Sequence, residues 1–218
     1  AGTYTGTTDT VLSIGIDTFL SGGWDSTFEN RVGYSTIDGE NARRCIHVGS
    51  ATGDGATVTI EHFIVQNGYV VTDYGAGIRV FGGSNLTLRD VIVRNNVINN
   101  GRGGGIATFS HLTLDGVSIY GNSALQGGGV YASTGGVALI ENSTIANNLA
   151  TGANQPSGGG IYSYAGTLTL HNSTVINNES ELFGGGIYGG GTLANSILLG
   201  NTAPEGPNCR YDGSFSSL

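Results

Sequence analysis

The sequence contains no lysine, and its eight basic residues, all arginines, are scattered along 218 residues. Charged residues make up only 11% of the chain, and the formal net charge is −8. Nucleic acids and anionic membranes bind proteins through clustered positive charge. We therefore expect neither as a partner.

Long apolar runs are also missing, so we expect no membrane insertion. The chain starts at Ala1 without an initiator methionine, as it would after cleavage of a signal peptide, although a trimmed chain would start in the same way. Its two cysteines, Cys45 and Cys209, are compatible with an oxidising compartment. These features favour an extracellular or cell-surface location.

Glycine, in contrast, is abundant: the chain has 40 glycines, and 38% of its residues are hydrophobic. Each glycine inside a helix is unfavourable by about 1 kcal/mol, which excludes a helical bundle. The apolar content excludes a highly charged disordered chain. The composition predicts an all-β fold that is rich in turns.

A glycine-rich block recurs along the chain at steps of 28, 24, 31 and 26 residues. The blocks are Gly75–Ile78, Gly103–Ile106, Gly127–Val130, Gly158–Ile161 and Gly184–Ile187. Each repeat also contains a Leu-Thr-Leu-like triplet, a β-branched triplet and a closing polar pair such as Asn147-Asn148. Three short strands and three corners per repeat predict one turn of a parallel β-helix, whose coils bury their apolar faces by stacking.

We predict a single domain of about seven coils. Residues 1–34 form a degenerate capping coil, 35–203 the β-helix, and 204–218 a tail or incomplete coil. One apolar column should face inward, with neighbours less than two strand spacings apart. Its members are Ile46, Ile78, Ile106, Val130, Ile161 and Ile187.

The Gly-Gly-Gly-Ile-Tyr runs and the phrase Asn-Ser-Thr-Ile-Ala-Asn-Asn at 142–148, echoed at 172–178, resemble those of secreted bacterial right-handed β-helix proteins. Relatives of the chlamydial polymorphic outer-membrane proteins are among them. The resemblance covers residues 35–203 and implies a right-handed helix outside the cell. It does not specify an activity, because one scaffold can carry unrelated functions.

Residues that alternate with the inward column should point outward and form an exposed aromatic stripe. Its predicted members, which are the candidate binding residues, are Phe81, Phe109, Tyr131, Tyr162, Tyr164 and Tyr188. Such a stripe favours stacking on sugars or association with a protein. The alternative is a ladder that stabilises the sheet, or rings covered by loops.

His47 and Arg79 are the candidate catalytic residues, because a base beside a cation resembles the arrangement in polysaccharide lyases. A second candidate is the carboxylate pair Asp115 and Glu141, which neighbouring coils would bring close together, as in a retaining glycosidase. A third is His62 with Asp90. A surface charge ladder explains the carboxylate pair better than catalysis does, and a hydrogen bond between corners explains His62 with Asp90 better. No spacing typical of a metal site is present, so we expect no metal or cofactor and favour a role without catalysis.

Cys45 and Cys209 lie at similar positions around the predicted axis but six coils apart, about 29 Å at 4.8 Å per coil. A disulfide within the chain would require the tail to fold back. A disulfide between chains would follow from head-to-tail stacking of solenoids, although the coil formed by residues 1–34 would intervene.

Three functions remain open from the sequence. They are a structural or adhesive surface protein, with the possibility of filaments; a carbohydrate-binding module; and a polysaccharide lyase or hydrolase.

Overall fold

The computed structural model describes residues 1–49, 55–164, 166–210 and 215–217. These residues form a β-helix whose strands stack into four parallel sheets. Sheets 1, 2 and 3 each contain eight strands, whereas sheet 4 contains five. Five turns therefore have all four sides, compared with about seven coils expected. The all-β parallel solenoid is confirmed.

The strands of sheet 1 are Thr10–Ile14, Arg44–Val48, Ile78–Val80, Ile106–Thr108, Val130–Ala132, Ile161–Ser163, Ile187–Gly189 and Cys209–Arg210. The strands of sheet 2 are Thr18–Ser21, Thr57–Glu61, Asn85–Arg89, His111–Asp115, Val137–Glu141, Thr167–His171, Gly191–Ala194 and Phe215–Ser217. The strands of sheet 3 are Thr3–Tyr4, Ser35–Asp38, Phe63–Gln66, Ile92–Arg94, Ser118–Tyr120, Thr144–Ala146, Thr174–Ile176 and Ile197–Leu199. The strands of sheet 4 are Tyr69–Val70, Val97–Ile98, Ser123–Ala124, Leu149–Ala150 and Glu179–Ser180.

The predicted inward column of sheet 1 is confirmed. Ile46 pairs with Ile78, and the pairing continues without a slip through Ile187. All six side chains of the column are completely buried. They pack against the inward residues of sheets 2 and 3 in one core that runs along the axis. Sheet register therefore follows from the apolar pattern, since a one-residue slip would expose the whole column.

The polar pair that closes each repeat has two separate roles. Its first residue turns the corner in the left-handed region, with φ between 53° and 66° at Asn67, Asn95, Gly121, Asn147, Asn177 and Gly200. Asparagine and glycine tolerate this conformation better than other residues. The second residue points into the helix and is buried. We call the buried set the asparagine ladder; it comprises Asn96, Asn122, Asn148, Asn178 and Asn201.

Hydrogen bonds join the members of the asparagine ladder from coil to coil. The backbone N–H and Nδ2 of Asn122 both donate to Oδ1 of Asn148, at 3.1 and 3.0 Å. Asn148 donates in the same way to Asn178, at 3.0 and 2.9 Å. Each Nδ2 also reaches a backbone carbonyl, which for Asn148 is that of Ile119. The ladder thus satisfies the corner's polar groups where water is excluded.

Close packing explains why glycine occurs in triplets. In the block at 127–129, Gly127 has φ of 65°. A Cβ on Gly128 would lie 2.5 Å from the carbonyl oxygen of Leu149 in sheet 4, and one on Gly129 would lie 2.6 Å from that of Gly160. The triplet therefore packs closely against the next coil, beside sheet 4 and the asparagine ladder. It leads directly into a strand of sheet 1.

Candidate functional site

The outer face of sheet 1 carries the predicted aromatic residues. Residue by residue, Arg79 pairs with Ala107, Tyr131 with Tyr162, and Tyr162 with Tyr188. A second column of rings runs alongside through Phe81, Phe109 and Tyr164. The structure brings the six predicted residues onto one surface, and their role in binding stays a prediction.

Eight rings form a continuous network here, which we call the aromatic face. Its members are Tyr74, Phe81, Phe109, Tyr131, Tyr162, Tyr164, Phe183 and Tyr188. The rings of Tyr162 and Tyr188 stack with centroids 4.9 Å apart, and those of Tyr131 and Tyr162 with centroids 5.5 Å apart. Tyr74 meets Phe109 edge-on at 4.7 Å. The network gives the sheet a rigid apolar outer surface.

The expectation of a uniformly exposed stripe is wrong at its centre. Tyr131 and Tyr162 retain only 2% and 7% of their accessible surface, whereas Tyr164 retains 55% and Phe81 retains 36%. Phe109 and Tyr188 are half-buried. Burial, together with the adjacent phenols of Tyr188 and Tyr131, raises the pKa of Tyr162 to about 12. The central tyrosines thus support the face, and the outer rings remain available to a ligand.

A column at the corner before sheet 1 supplies much of the cover. It consists of Tyr74, Arg102, Gln126, Ser157, Phe183 and Glu205, which pair from coil to coil through single bridges. We call these residues the corner column. Each one directly precedes a glycine block, or Gly206 in the case of Glu205. Their place before each glycine block identified these residues in the sequence, but the outward column was predicted from strand residues alone and did not include them.

Arginines cluster beside the aromatic rings. Arg79 lies over Phe81 at 4.9 Å, and Arg102 lies 5.7 and 5.5 Å from the ring centroids of Tyr74 and Tyr131. Arg210 lies over Phe183 at 3.8 Å and pairs with Glu205. Arginine stacks readily on aromatic rings because its charge is spread over a planar group. The candidate site thus combines flat apolar surfaces with planar cations.

His47 and Arg79 do lie side by side, as predicted, in paired strands of sheet 1. Burial, followed by the positive charges of Arg79 and Arg44, lowers the pKa of His47. The guanidinium of Arg79, however, donates to the carboxylate of Asp73 at 2.8 Å. Its charge is therefore already balanced by a neighbour, which weakens the case that it neutralises a substrate during proton abstraction.

The carboxylates of sheet 2 lie in the predicted order at the carboxyl ends of successive strands. Asp115 pairs in register with Glu141, and Glu141 with His171, whose Nδ1 lies 3.7 Å from a carboxylate oxygen of Glu141. Asp115 accepts a hydrogen bond from Asn142. His62 and Asp90 approach to 3.8 Å at the next corner. These are partly exposed pairs on an outer face, and such pairs contribute little to stability.

Both cysteines are free thiols in the single chain, and a disulfide through Cys45 and Cys209 stays a prediction. Cys209 is exposed and extends the inward column of sheet 1 at the position after Ile187. Cys45 is completely buried, its Sγ lies 3.1 Å from the carbonyl oxygen of Gln66, and burial raises the pKa of its thiol to about 12. Its depth inside the helix keeps the thiol of Cys45 away from solvent.

Within the described ranges, no three histidine, cysteine, aspartate or glutamate side chains gather in a way that could hold a metal ion. The same residues form no helix that is long and apolar enough to cross a membrane.

A family model described as a right-handed β-helix region matches residues 28–203. No curated protein and no solved structure matches the chain. The matched residues include every strand of sheet 4 and the whole aromatic face.

Proposed function

The chain belongs to the right-handed β-helix family, and from this premise we propose that it is a non-catalytic adhesive protein that binds polysaccharide through the aromatic face. The observation that carries the proposal is the exposure of Phe81 and Tyr164 on a rigid network of rings. Three strand spacings separate their coils, or about 14 Å. That distance suits a chain of sugars lying along the helix axis better than a single small molecule.

An extracellular or cell-surface location fits this role, and we propose it for this chain. The glycine-rich and asparagine-rich phrases that resemble secreted bacterial β-helix proteins support it. A role without catalysis is supported by the neutralised Arg79 and by the partly exposed setting of Glu141 and His171 on an outer face. Binding through an exposed aromatic surface needs contact with the ligand but no reacting group in the protein.

Removing one exposed ring tests the binding role. We expect Tyr164→Ala and Phe81→Ala each to weaken retardation in gels containing the recognised polysaccharide by about tenfold in apparent affinity, as at aromatic hot spots. Tyr4→Ala is the matched control, because Tyr4 has the same 55% exposure as Tyr164 but lies on sheet 3. Screening wild-type protein on a glycan array identifies the polysaccharide. Equal migration of all three variants and the wild type would contradict the proposal.

Head-to-tail self-association is a second candidate role, and a separate observation favours it. Exposed apolar side chains concentrate at the two ends of the described stack: Tyr4, Ile16, Phe19, Phe28, Val32, Ile197 and Leu199. A second copy stacked on either end would cover several of them and extend the sheets, as open strand edges favour. Contacts of this kind that do not close produce filaments.

Sedimentation at increasing concentration tests self-association. We expect oligomers that persist in reducing agent, because Cys45 is enclosed. Without reducing agent, one accessible thiol per chain can link only two chains, so denaturing gels should show at most a dimer through Cys209. A covalent ladder of higher multimers would show that Cys45 is accessible after all. A single monomeric species at all concentrations would remove the self-association role.

A further inference from the structure

A small cavity adjoins the aromatic face at the corner column. Its volume is about 230 Å³, and it is lined by Asp73, Tyr74, Asn100, Gly101, Arg102 and Leu125. Tyr74 belongs to the aromatic face, and the guanidinium of Arg102 lies against it. The cavity is smaller than the roughly 300–1,000 Å³ of sites for drug-sized ligands. It suits a single ring that belongs to a ligand lying across the aromatic face.

Positive charge exceeds negative charge around this cavity. The carboxylate of Asp73 accepts hydrogen bonds from Arg44 and Arg79, at 2.7 and 2.8 Å. The negative charge of Asp9 attracts the guanidinium of Arg44 as well. Two carboxylates therefore balance two of the arginines, and Arg102 is the third cation. The excess is local, because the chain as a whole has a net charge of −8.

Arg102 is held by neutral groups. Its Nε donates to Oε1 of Gln126 at 2.6 Å, and its Nη1 donates to the hydroxyl of Tyr74 at 3.0 Å. In the part of the chain that the structure describes, no carboxylate forms an ion pair with it. Gln126 and Tyr74 fix the plane of the guanidinium without neutralising its charge. A half-buried arginine oriented in this way is suited to an anionic group.

We propose that Arg102 makes this cavity a subsite for a sugar that carries a carboxylate, so that the ligand of the aromatic face is an acidic polysaccharide. The inference rests on the proposed function and adds the chemical class of the ligand. The exposed rings supply contact that any polysaccharide can use. Arg102, with the amide of Asn100 beside it, supplies discrimination between a charged sugar and its neutral counterpart.

Two ligands that differ in the charge of the carboxyl group test the inference. Titration calorimetry compares oligomers of galacturonic acid with the methyl esters of the same oligomers. We expect wild-type protein to bind the acid at least about tenfold more tightly, the usual effect of one charge-assisted hydrogen bond. We expect Arg102→Gln to bind both ligands with the affinity that the wild type shows for the ester. Arg102→Lys should retain part of the preference, because it keeps the charge but not the planar donors.

Arg94→Gln is the matched control. Arg94 lies on sheet 3 and has the same kinds of partner as Arg102, a glutamine oxygen and a tyrosine hydroxyl, here Gln66 and Tyr120. The Arg94→Gln variant should bind both ligands as the wild type does. Thermal unfolding of each variant shows whether it folds, and the comparison of acid with ester in the wild type needs no variant.

Different outcomes separate this inference from the proposed function. Equal affinity of the wild type for acid and ester would overturn the acidic-sugar subsite and leave polysaccharide binding in place. A preference for the acid that survives in folded Arg102→Gln would overturn the assignment to Arg102. If neither these ligands nor any glycan on an array binds the wild type, the proposed function and this inference both fail.

Discussion

Asn148→Ala is expected to lower the free energy of unfolding by about 4 kcal/mol. The substitution leaves two buried donors of Asn122 without their acceptor: the backbone N–H and one hydrogen of Nδ2. Each buried polar group that loses its hydrogen bond costs about 1–3 kcal/mol. For a chain of this length, the loss corresponds to a melting temperature lower by about 8–16 °C. Thermal unfolding followed by circular dichroism measures it.

Asn99→Ala provides the comparison for that result. Asn99 is exposed, and its Nδ2 donates to the hydroxyl of Tyr69 on the outside of the helix. Loss of an exposed hydrogen bond should change the stability by no more than about 0.5 kcal/mol. Similar melting temperatures for the two variants would mean that the asparagine ladder does not stabilise the corner.

The coil repeat could be predicted from the sequence because stacking demands it. A glycine triplet before a strand and a Leu-Thr-Leu-like triplet recur with the period of one coil, and each recurrence adds evidence for the same register. The inward column from Ile46 to Ile187 follows from this alignment alone. Terminal coils repeat less well, so the repeat identifies the fold but does not give the number of complete turns.

In three of the five turns, the fourth strand could not be predicted from its residues. Pairs such as Ser123-Ala124 and Glu179-Ser180 have no β-branched or aromatic character. They become strands because the asparagine ladder and the glycine triplets hold their neighbours in place, which is a tertiary effect. The inward direction of the Asn148 side chain could not be predicted either. Two consecutive asparagines are typical of a corner whichever of the two side chains points into the helix.

The candidate site was predicted in position but not in burial. Alternation in the strands placed Tyr131 and Tyr162 on the outer face, where the structure has them. Whether an outward ring is exposed depends on what crosses over it, and here the corner column lies between sheet 4 and sheet 1. Cys45 shows the same limit, since its enclosure depends on Gln66 of sheet 3 and on Asn96 of the next coil.

Tyr162→Ala is expected to destabilise the protein by about 3 kcal/mol, although its side chain points outward from sheet 1. The ring is almost completely buried and stacks between Tyr131 and Tyr188. Replacing a buried aromatic residue with alanine costs about 3–5 kcal/mol. We take the lower end because the site lies near the surface and can partly collapse. The melting temperature should fall by about 6–12 °C.

Tyr164→Ala is the internal comparison, because this tyrosine lies two residues further along the chain and more than half of it is exposed. It should unfold within about 0.5 kcal/mol of the wild type. In the binding measurement we expect the reverse order. Tyr164→Ala should weaken binding more than Tyr162→Ala, because Tyr164 is the proposed ligand contact and Tyr162 only supports the face. Replacing Tyr131, Tyr162 and Tyr188 together would therefore lower stability and could not isolate binding. If Tyr162→Ala leaves the melting temperature unchanged, its ring is not part of the packed support, and the aromatic face is exposed throughout.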